Sequence, residues 1–482
     1  MKRKLWRIIS CILTLCLLTI SLNFLTNLVE RKASIIKYQP FFEQNADFDV
    51  LFMGTSHVLT GVFPMELWND YGIVSYNFGG DSSQIPTTYW VIENALDHTT
   101  PKLIIIDCFG LVSNDKTNWN YSYVHVSLDS FPFSATKLKT TLDLLNDPVM
   151  STKIKNGTVA EPEKRTPIGL LWDFSVYHTR WNELKEEDFQ FTATSEKGAV
   201  SRIAVAVPVD FSKVERSEKL EEDTVGVEYL KKIIEKCQKT EINILLTYIP
   251  FPANTSFQKE ANRVYDIAEE YGIDYINFLD MDIVDFDTDC YDSNNNNAHL
   301  NPSGARKVTD YLGKYIIDHY QIPDQRNNPE YSDWFEDYEE YKALKERNLQ
   351  AQRSWDTYLM LLADKNFDAV IEIRNSDIWN DDKFVNLVEN LGINMSSVSE
   401  ATNYLIVHRG GLQAEAISLD MATDTQTDTA MGLLQILYDD SGKYNAYLND
   451  VECFLPDEDN KGNLRIYVRD SENLNTVGQA VF

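Results

Sequence analysis

The sequence predicts an α/β protein: one membrane-spanning helix, a three-layer parallel-sheet domain behind it, and a smaller C-terminal α+β domain. Three patterns carry that expectation. Residues 8–28 form an almost unbroken apolar run behind a basic flank. From Asp49 to Tyr320, apolar runs of strand length alternate with stretches of helical periodicity, as in a parallel sheet with helices on both faces. Beyond Gln350 this gives way to mixed helix and strand segments, then to β-rich ones. The 482 residues are too many for one ordinary domain, and 43% hydrophobic with 12% aromatic residues is ample for packed cores.

The N-terminal element comes first. Lys2, Arg3, Lys4 and Arg7 precede the run from Ile8 to Leu28, which Glu30, Arg31 and Lys32 close. Its length is roughly the ~20 residues a helix needs to cross hydrocarbon. The basic flank belongs on the cytoplasmic side. Residues 1–32 are therefore expected to be a signal-anchor in the lipid bilayer, with everything after Lys32 extracytoplasmic. No A-x-A-like site follows the run, and "IISC" at Ile8–Cys11 precedes it where a lipoprotein box would end it, so cleavage is not expected. A formal net charge of -30 excludes a nucleic-acid binder, which needs a basic face, and suits solubility outside the cell. Of six cysteines, Cys11 and Cys16 lie in the anchor. Cys108, Cys237, Cys290 and Cys453 are scattered without metal-ligand spacing and are expected as buried free thiols.

Within residues 33–325, "DVLFMG" (Asp49–Gly54), "IVSYNF" (Ile73–Phe78) and "KLIIIDC" (Lys102–Cys108) read as strands, with a helical stretch around Tyr89–Asp97 before the third. The alternation lapses over 111–224, a polar and aromatic insertion expected to cover the sheet as a lid or substrate-facing cap. It resumes with the helix "VEYLKKIIEKCQK" (Val227–Lys239), the strand "INILLTYIP" (Ile242–Pro250), a helix around Ala261–Tyr271 and the strand "IDYINFL" (Ile273–Leu279). Asn301 as cap and Pro302 at the first helical position open the last amphipathic helix, which runs to Tyr320. Residues 326–349 are acidic and aromatic and are expected as a linker ending in a helix. Residues 350–482 carry the helix "WDTYLMLLAD", the strand "FDAVIEI", the helix "DDKFVNLVENLG" and strands such as "NYLIVHRGG" and "LRIYVRD". From its position this second domain is expected to be an accessory module, binding glycan or a partner or serving structure alone.

Ligands of parallel sheets sit outside the carboxyl ends of strands. Ser56, in "GTSH", lies just past the first strand end, with Gly54 permitting a tight turn. A serine becomes a nucleophile when a neighbouring base takes its proton and dipoles hold the resulting oxyanion. Alone, a turn serine is ordinary. The partner stretch is "YDSNNNNAHLNPSGARKVTDYLG", where His299 stands in the loop before a well-capped helix that fixes its position.

Together these stretches resemble the SGNH (GDSL-like) hydrolase superfamily over roughly Asp49 to Tyr320. Gly54–Thr55–Ser56 matches its first block, "YNFGGDSSQ" its second, and His299 with "LNPSGARKVT" its last. The resemblance implies an SGNH-type fold, Ser56 as nucleophile, His299 as base and the Gly80 N–H as oxyanion donor. The sequence departs from the family pattern twice. Asn296 stands three residues before His299, where the family has aspartate, so Asp292 is expected to reach the histidine instead and fix its tautomer. The third block has no clear counterpart; "DCFGLVSND" occupies its place, and Asn114 is an imperfect match for a second oxyanion donor. A missing donor of that kind costs roughly 3 kcal/mol of transition-state stabilisation.

Other residues have plainer readings. His57 adjoins Ser56, but neighbouring side chains at a strand end point apart, so it is expected to be structural or substrate-facing. His178 in "YHTRW" is expected as exposed scaffold in the insertion. Asp285, Asp287 and Asp289 have the alternate spacing of a calcium loop, yet Cys290 replaces the central glycine and Asn296 the final glutamate, so a solvated acidic loop is expected. No metal or other cofactor is expected.

Behind a single anchor, the domain looks most like the alginate O-acetylation proteins and the D-alanine transfer protein of teichoic-acid modification. That likeness implies acyl transfer to, or removal from, a surface glycan or teichoic acid, with the acyl donor reaching it through a multi-span membrane-bound O-acyltransferase. The competing expectation is a non-catalytic SGNH-like scaffold that binds polymer or recruits the acyltransferase. Asn296 and the unclear third block favour it; Ser56 and His299 oppose it.

Overall fold

The computed structural model describes residues 2–29, 32–81, 83–111, 121–129, 131–146, 167–171, 174–189, 196–206, 213–221, 223–280, 290–293, 298–398, 402–419, 423–454 and 462–482. Five strands, β1 (Val50–Met53), β2 (Ser75–Asn77), β3 (Leu103–Asp107), β4 (Asn243–Tyr248) and β5 (Asp274–Asn277), form one parallel sheet in the order β2-β1-β3-β4-β5. Each central strand is a continuous apolar run because both of its faces are covered. Alternate residues serve the two faces. Leu51, Met53, Ile104, Ile106 and Leu246 pack on the helices Ile85–Ala95, Val225–Lys239 and Thr255–Tyr271. Val50, Phe52, Leu103, Ile105 and Leu245 pack on the helices Pro64–Tyr71 and Pro302–His319. The result is the three-layer α/β architecture expected.

Strand order reverses at β1. The chain leaves β1 through helices on one face to reach β2, and leaves β3 toward β4, so a crevice opens between the carboxyl ends of β1 and β3. Ser56 stands three residues beyond the end of β1.

The first helix, Lys2–Val29, contains a 23-residue stretch, Lys4–Thr26, with mean hydropathy 2.3 and no buried share. It is long and apolar enough to cross a membrane. The helix Lys32–Glu43 follows, and its Tyr38 and Phe41 join Phe48, Tyr76, Phe78 and Phe131 in an aromatic cluster beside β2. The stretch expected as a linker ending in a helix is helix over most of its length, Asp333–Ala351, and that helix is packed. Its Trp334, Tyr338 and Tyr341 are buried against the first domain, with the Trp334 and Trp68 ring centroids 5.3 Å apart. Acidic residues on its other face disguise that apolar stripe in the composition.

The second domain is built on antiparallel sheets. One has the order β14-β13-β6-β7-β8, from β6 (Phe367–Ile373), β7 (Tyr404–His408), β8 (Gln413–Ile417), β13 (Leu464–Asp470) and β14 (Thr476–Val481). The other, order β12-β11-β10-β9, uses β9 (Thr425–Thr429), β10 (Gly432–Tyr438), β11 (Tyr444–Leu448) and β12 (Val451–Glu452). Helices Trp355–Leu362 and Asp382–Asn390 cover the larger sheet. Ion pairs join the domains, among them Arg306–Asp364 at 3.2 Å and Lys365–Asp70.

Candidate active site

Ser56 opens a short helix, Ser56–Gly61, capped by Thr55, whose Oγ1 accepts from the His57 N–H at 3.3 Å. The turn from β1 into this helix is crowded. A Cβ on Gly54, at φ +156°, would lie 2.7 Å from Val58 Cγ2 and 2.9 Å from Asp107 Cβ. A Cβ on Gly79 would lie 2.2 Å from Leu59 N and 2.8 Å from Thr55 O, so only a glycine lets the chain after β2 pass under the Ser56 helix.

His299 reaches the same spot from the far end of the domain. Its loop is pinned on itself: Tyr291 and Leu300 form an antiparallel bridge, and Asn301 N–H donates to Cys290 O at 2.9 Å. Asp292 N–H donates to His299 O at 2.9 Å, and His299 N–H donates to Asp292 Oδ1 at 2.8 Å. Asn301 then caps the Pro302–His319 helix, accepting from Ser303 and Gly304 N–H at 3.0 and 3.2 Å. The outcome is a hydrogen bond of 2.8 Å between His299 Nε2 and Ser56 Oγ.

The opposite ring nitrogen is less simply placed. Asp292 Oδ2 lies 3.7 Å from His299 Nδ1, too long for a hydrogen bond. Arg202 Nη1 sits closer, 3.3 Å from Nδ1 and 3.5 Å from Asp292 Oδ2, while Nη2 is 3.7 Å from Asp81 Oδ1. A guanidinium only donates, so at Nδ1 it faces a lone pair and leaves the ring proton on Nε2. The base-competent tautomer needs the reverse, with Nδ1–H turned to Asp292. Burial alone would raise the Asp292 carboxyl, but the His299 side chain beside it, the hydrogen bond from the His299 backbone N–H and the Arg202 charge outweigh burial and hold it below the usual carboxylate range. Among the described residues, Asp292 is the carboxylate beside His299. Asn296, its rival for that position, lies outside the described residues.

Gly80 does not present the expected donor, because its N–H is spent on Gly54 O at 3.1 Å. Ser56 N–H has no partner among the described residues and is the backbone donor closest in sequence to Ser56 Oγ. Asn114 lies outside the described residues, as do Asp285, Asp287 and Asp289. The chain just before Asn114 is held by buried Glu260, which accepts from the Gly110 and Leu111 N–H groups.

His57 is buried, stacked on Phe251 at 4.7 Å and edge-on to Phe109 at 4.3 Å. It belongs to a helix start and not to a strand end. Burial, and then the neighbouring His299, push its pKa down to about 3, so it is a neutral packing residue. His178 is exposed, and among the described residues it bonds only to carbonyls of its own turn, Phe174 O and Ser175 O. At the end of β3, burial pushes the Asp107 carboxyl up to about 7; its Oδ1 accepts from Ile249 N–H at 2.9 Å.

Nothing in the sequence singles out Arg202. It belongs to a strap, residues 196–206, at the end of the insertion. The strap is tied down by Val200 N–H to Leu59 O, Ala206 N–H to Tyr291 O, and Asn301 Nδ2 to Ala204 O, at 3.0–3.1 Å. Its far end, Val205, is buried in the core of the second domain.

No family model matches the chain, and no curated protein matches it. Among solved structures, one described as a "putative acylhydrolase" from Bacteroides fragilis is similar at 11% identity, covering 60% of this chain and 98% of that one with a TM-score of 0.29. That likeness is too slight to identify a fold or an activity.

Proposed function

We propose that this chain is a membrane-anchored, SGNH-type serine acyltransferase or esterase that works outside the cytoplasm on a cell-surface glycan or teichoic acid. The observation that carries the reading is the 2.8 Å hydrogen bond between Ser56 Oγ and His299 Nε2 at the carboxyl edge of a parallel sheet. In this reading Ser56 attacks an ester carbonyl while His299 takes its proton. The leaving alcohol collects that proton, and water or a sugar hydroxyl then attacks the acyl-serine. Asp292 orients and stabilises the imidazolium, and Ser56 N–H contributes to holding the oxyanion. The acyl donor arrives through a multi-span membrane-bound O-acyltransferase.

The test is labelling of the full-length protein with a fluorophosphonate probe, together with turnover of a chromogenic acetyl ester. Ser56→Ala and His299→Ala are each expected to lose several orders of magnitude, and the double variant little more, because the pair acts as a unit. Full activity and labelling in Ser56→Ala would refute the assignment.

Two observations favour a second reading, the non-catalytic scaffold: Arg202 is nearer His299 Nδ1 than Asp292 is, and Gly80 N–H is spent on Gly54 O. A wild type that never labels, with Ser56→Ala still supporting surface acylation in cells, would select it.

A further inference from the structure

A second site lies away from Ser56, in a cleft of about 390 Å³ between the Pro302–His319 helix of the first domain and the second domain. Five cationic side chains line it, Arg306, Lys307, Lys314, Lys365 and Arg409, in a protein whose net charge is -30. The three acids of the lining are already engaged. Asp310 pairs with Lys314 at 2.6 Å, Asp70 with Lys365, and Glu66 with Lys345 at 2.9 Å. Asp364, beneath the cleft, is shared by Arg306 at 3.2 Å and Lys345 at 3.1 Å.

Arg409 is left over. Its Nη1 and Nη2 donate to the carbonyls of Leu391 and Ala363 at 3.0 and 3.1 Å, and among the described residues it meets no carboxylate within ion-pair distance. Its Nε, like Arg306 Nη2, is buried with no hydrogen-bond partner among the described residues. Burial and the nearby Arg306 charge lower the Arg409 pKa from its ordinary value and outweigh the opposing charge of Asp364, so the guanidinium is only partly compensated. Enclosing a charge so incompletely compensated is costly, and proteins rarely tolerate it without a reason.

We propose that this cleft binds a phosphate group. Guanidinium groups match tetrahedral oxyanions through paired N–H donors, and the lysines add point charges on the other side. Cationic side chains on both walls of the cleft suit the three or four acceptor oxygens of a phosphate better than the two of a carboxylate. Arg306 and Lys307 lie on the helix that begins directly after the His299 loop, while Lys365 and Arg409 belong to the second domain. A phosphate seated there bridges the domains and braces the helix that fixes His299.

The experiment uses the full-length protein in detergent micelles. Inorganic phosphate, against chloride at equal ionic strength, is titrated while thermal unfolding and phosphorus NMR line width are followed. A saturable rise in Tm with line broadening is expected, and Arg409→Gln should weaken phosphate at least tenfold. Should Arg409→Gln not fold, the rim variant Lys365→Gln should still weaken it severalfold. Dimethyl phosphate distinguishes the source: binding as tight as inorganic phosphate identifies an internal phosphodiester, and much weaker binding a terminal or free phosphate. Ser56→Ala should bind phosphate like the wild type. No rise beyond chloride, unchanged affinity in the folded cleft variants, or loss of binding in Ser56→Ala would each overturn the proposal.

Discussion

Asp292→Asn probes the acid beside His299 with little disturbance elsewhere. The asparagine carbonyl still accepts the His299 N–H that now reaches Asp292 Oδ1 at 2.8 Å, so the loop keeps its shape. What is lost is a negative charge 3.7 Å from His299 Nδ1. At an effective dielectric of about 20, a unit charge pair at that separation is worth about 4 kcal/mol, felt when the ring becomes an imidazolium. Arg202, 3.5 Å from the same oxygen, screens part of that field, and the site is partly solvated. About half should survive, roughly 2–3 kcal/mol, or on the order of a hundredfold in kcat. Loss of the correct tautomer can extend this toward about 10⁴-fold. The assay is kcat/KM on a chromogenic acetyl ester, with circular dichroism to show that the variant folds, and Asn296→Ala as the comparison. A loss under tenfold, or an equal loss in Asn296→Ala, would refute the assignment of Asp292.

Gly79→Ala should destabilise the protein by about 1–3 kcal/mol and displace the Ser56 helix, because the new methyl meets backbone at 2.2 Å; Gly80→Ala, whose nearest neighbour is Ser83 Cβ at 3.3 Å, should change urea midpoints far less. Asp107 keeps its proton to about pH 7 when folded, against an ordinary 3.8, so the native state binds the extra proton between those values and stability falls as pH rises from about 4 to about 7. Asp107→Asn should flatten that part of the slope and gain about 2–4 kcal/mol at pH 8, read as urea midpoints at pH 5 and pH 8; an unchanged slope would show that the carboxyl is ionised in the fold. External protease should digest residues after Lys32 in intact spheroplasts, and protection of the second domain would reverse the expected topology.

The parallel sheet is legible in the sequence because strands covered on both faces must be apolar throughout, as in "KLIIID" and "INILLTY". Asn301 and Pro302 announce the last helix locally, and so also fix where His299 can stand. Arg202 could not be read that way. Its partners Asp292 and His299 lie some ninety or more positions downstream, and its own surroundings, "SRIAVAVP", look like an ordinary apolar run. Gly79 and Gly80 are indistinguishable in "FGGD". Only the backbone of the Ser56 helix overhead separates the crowded one from the tolerant one. The burial of Trp334, Tyr338 and Tyr341 was written in helical spacing, but acidic neighbours made the segment resemble a linker.

The contact between Ser56 and His299 joins residues 243 apart in sequence. At about 5–20 residues per second of synthesis, His299 is made roughly 12–50 s after Ser56. Through that interval Ser56 is an ordinary alcohol. It gains its partner only when β4, β5 and the Pro302–His319 helix have docked onto β1 and β3. The pair is therefore a late product of maturation: a chain cut short before His299 carries the serine without its histidine partner, and only a finished sheet brings the two together.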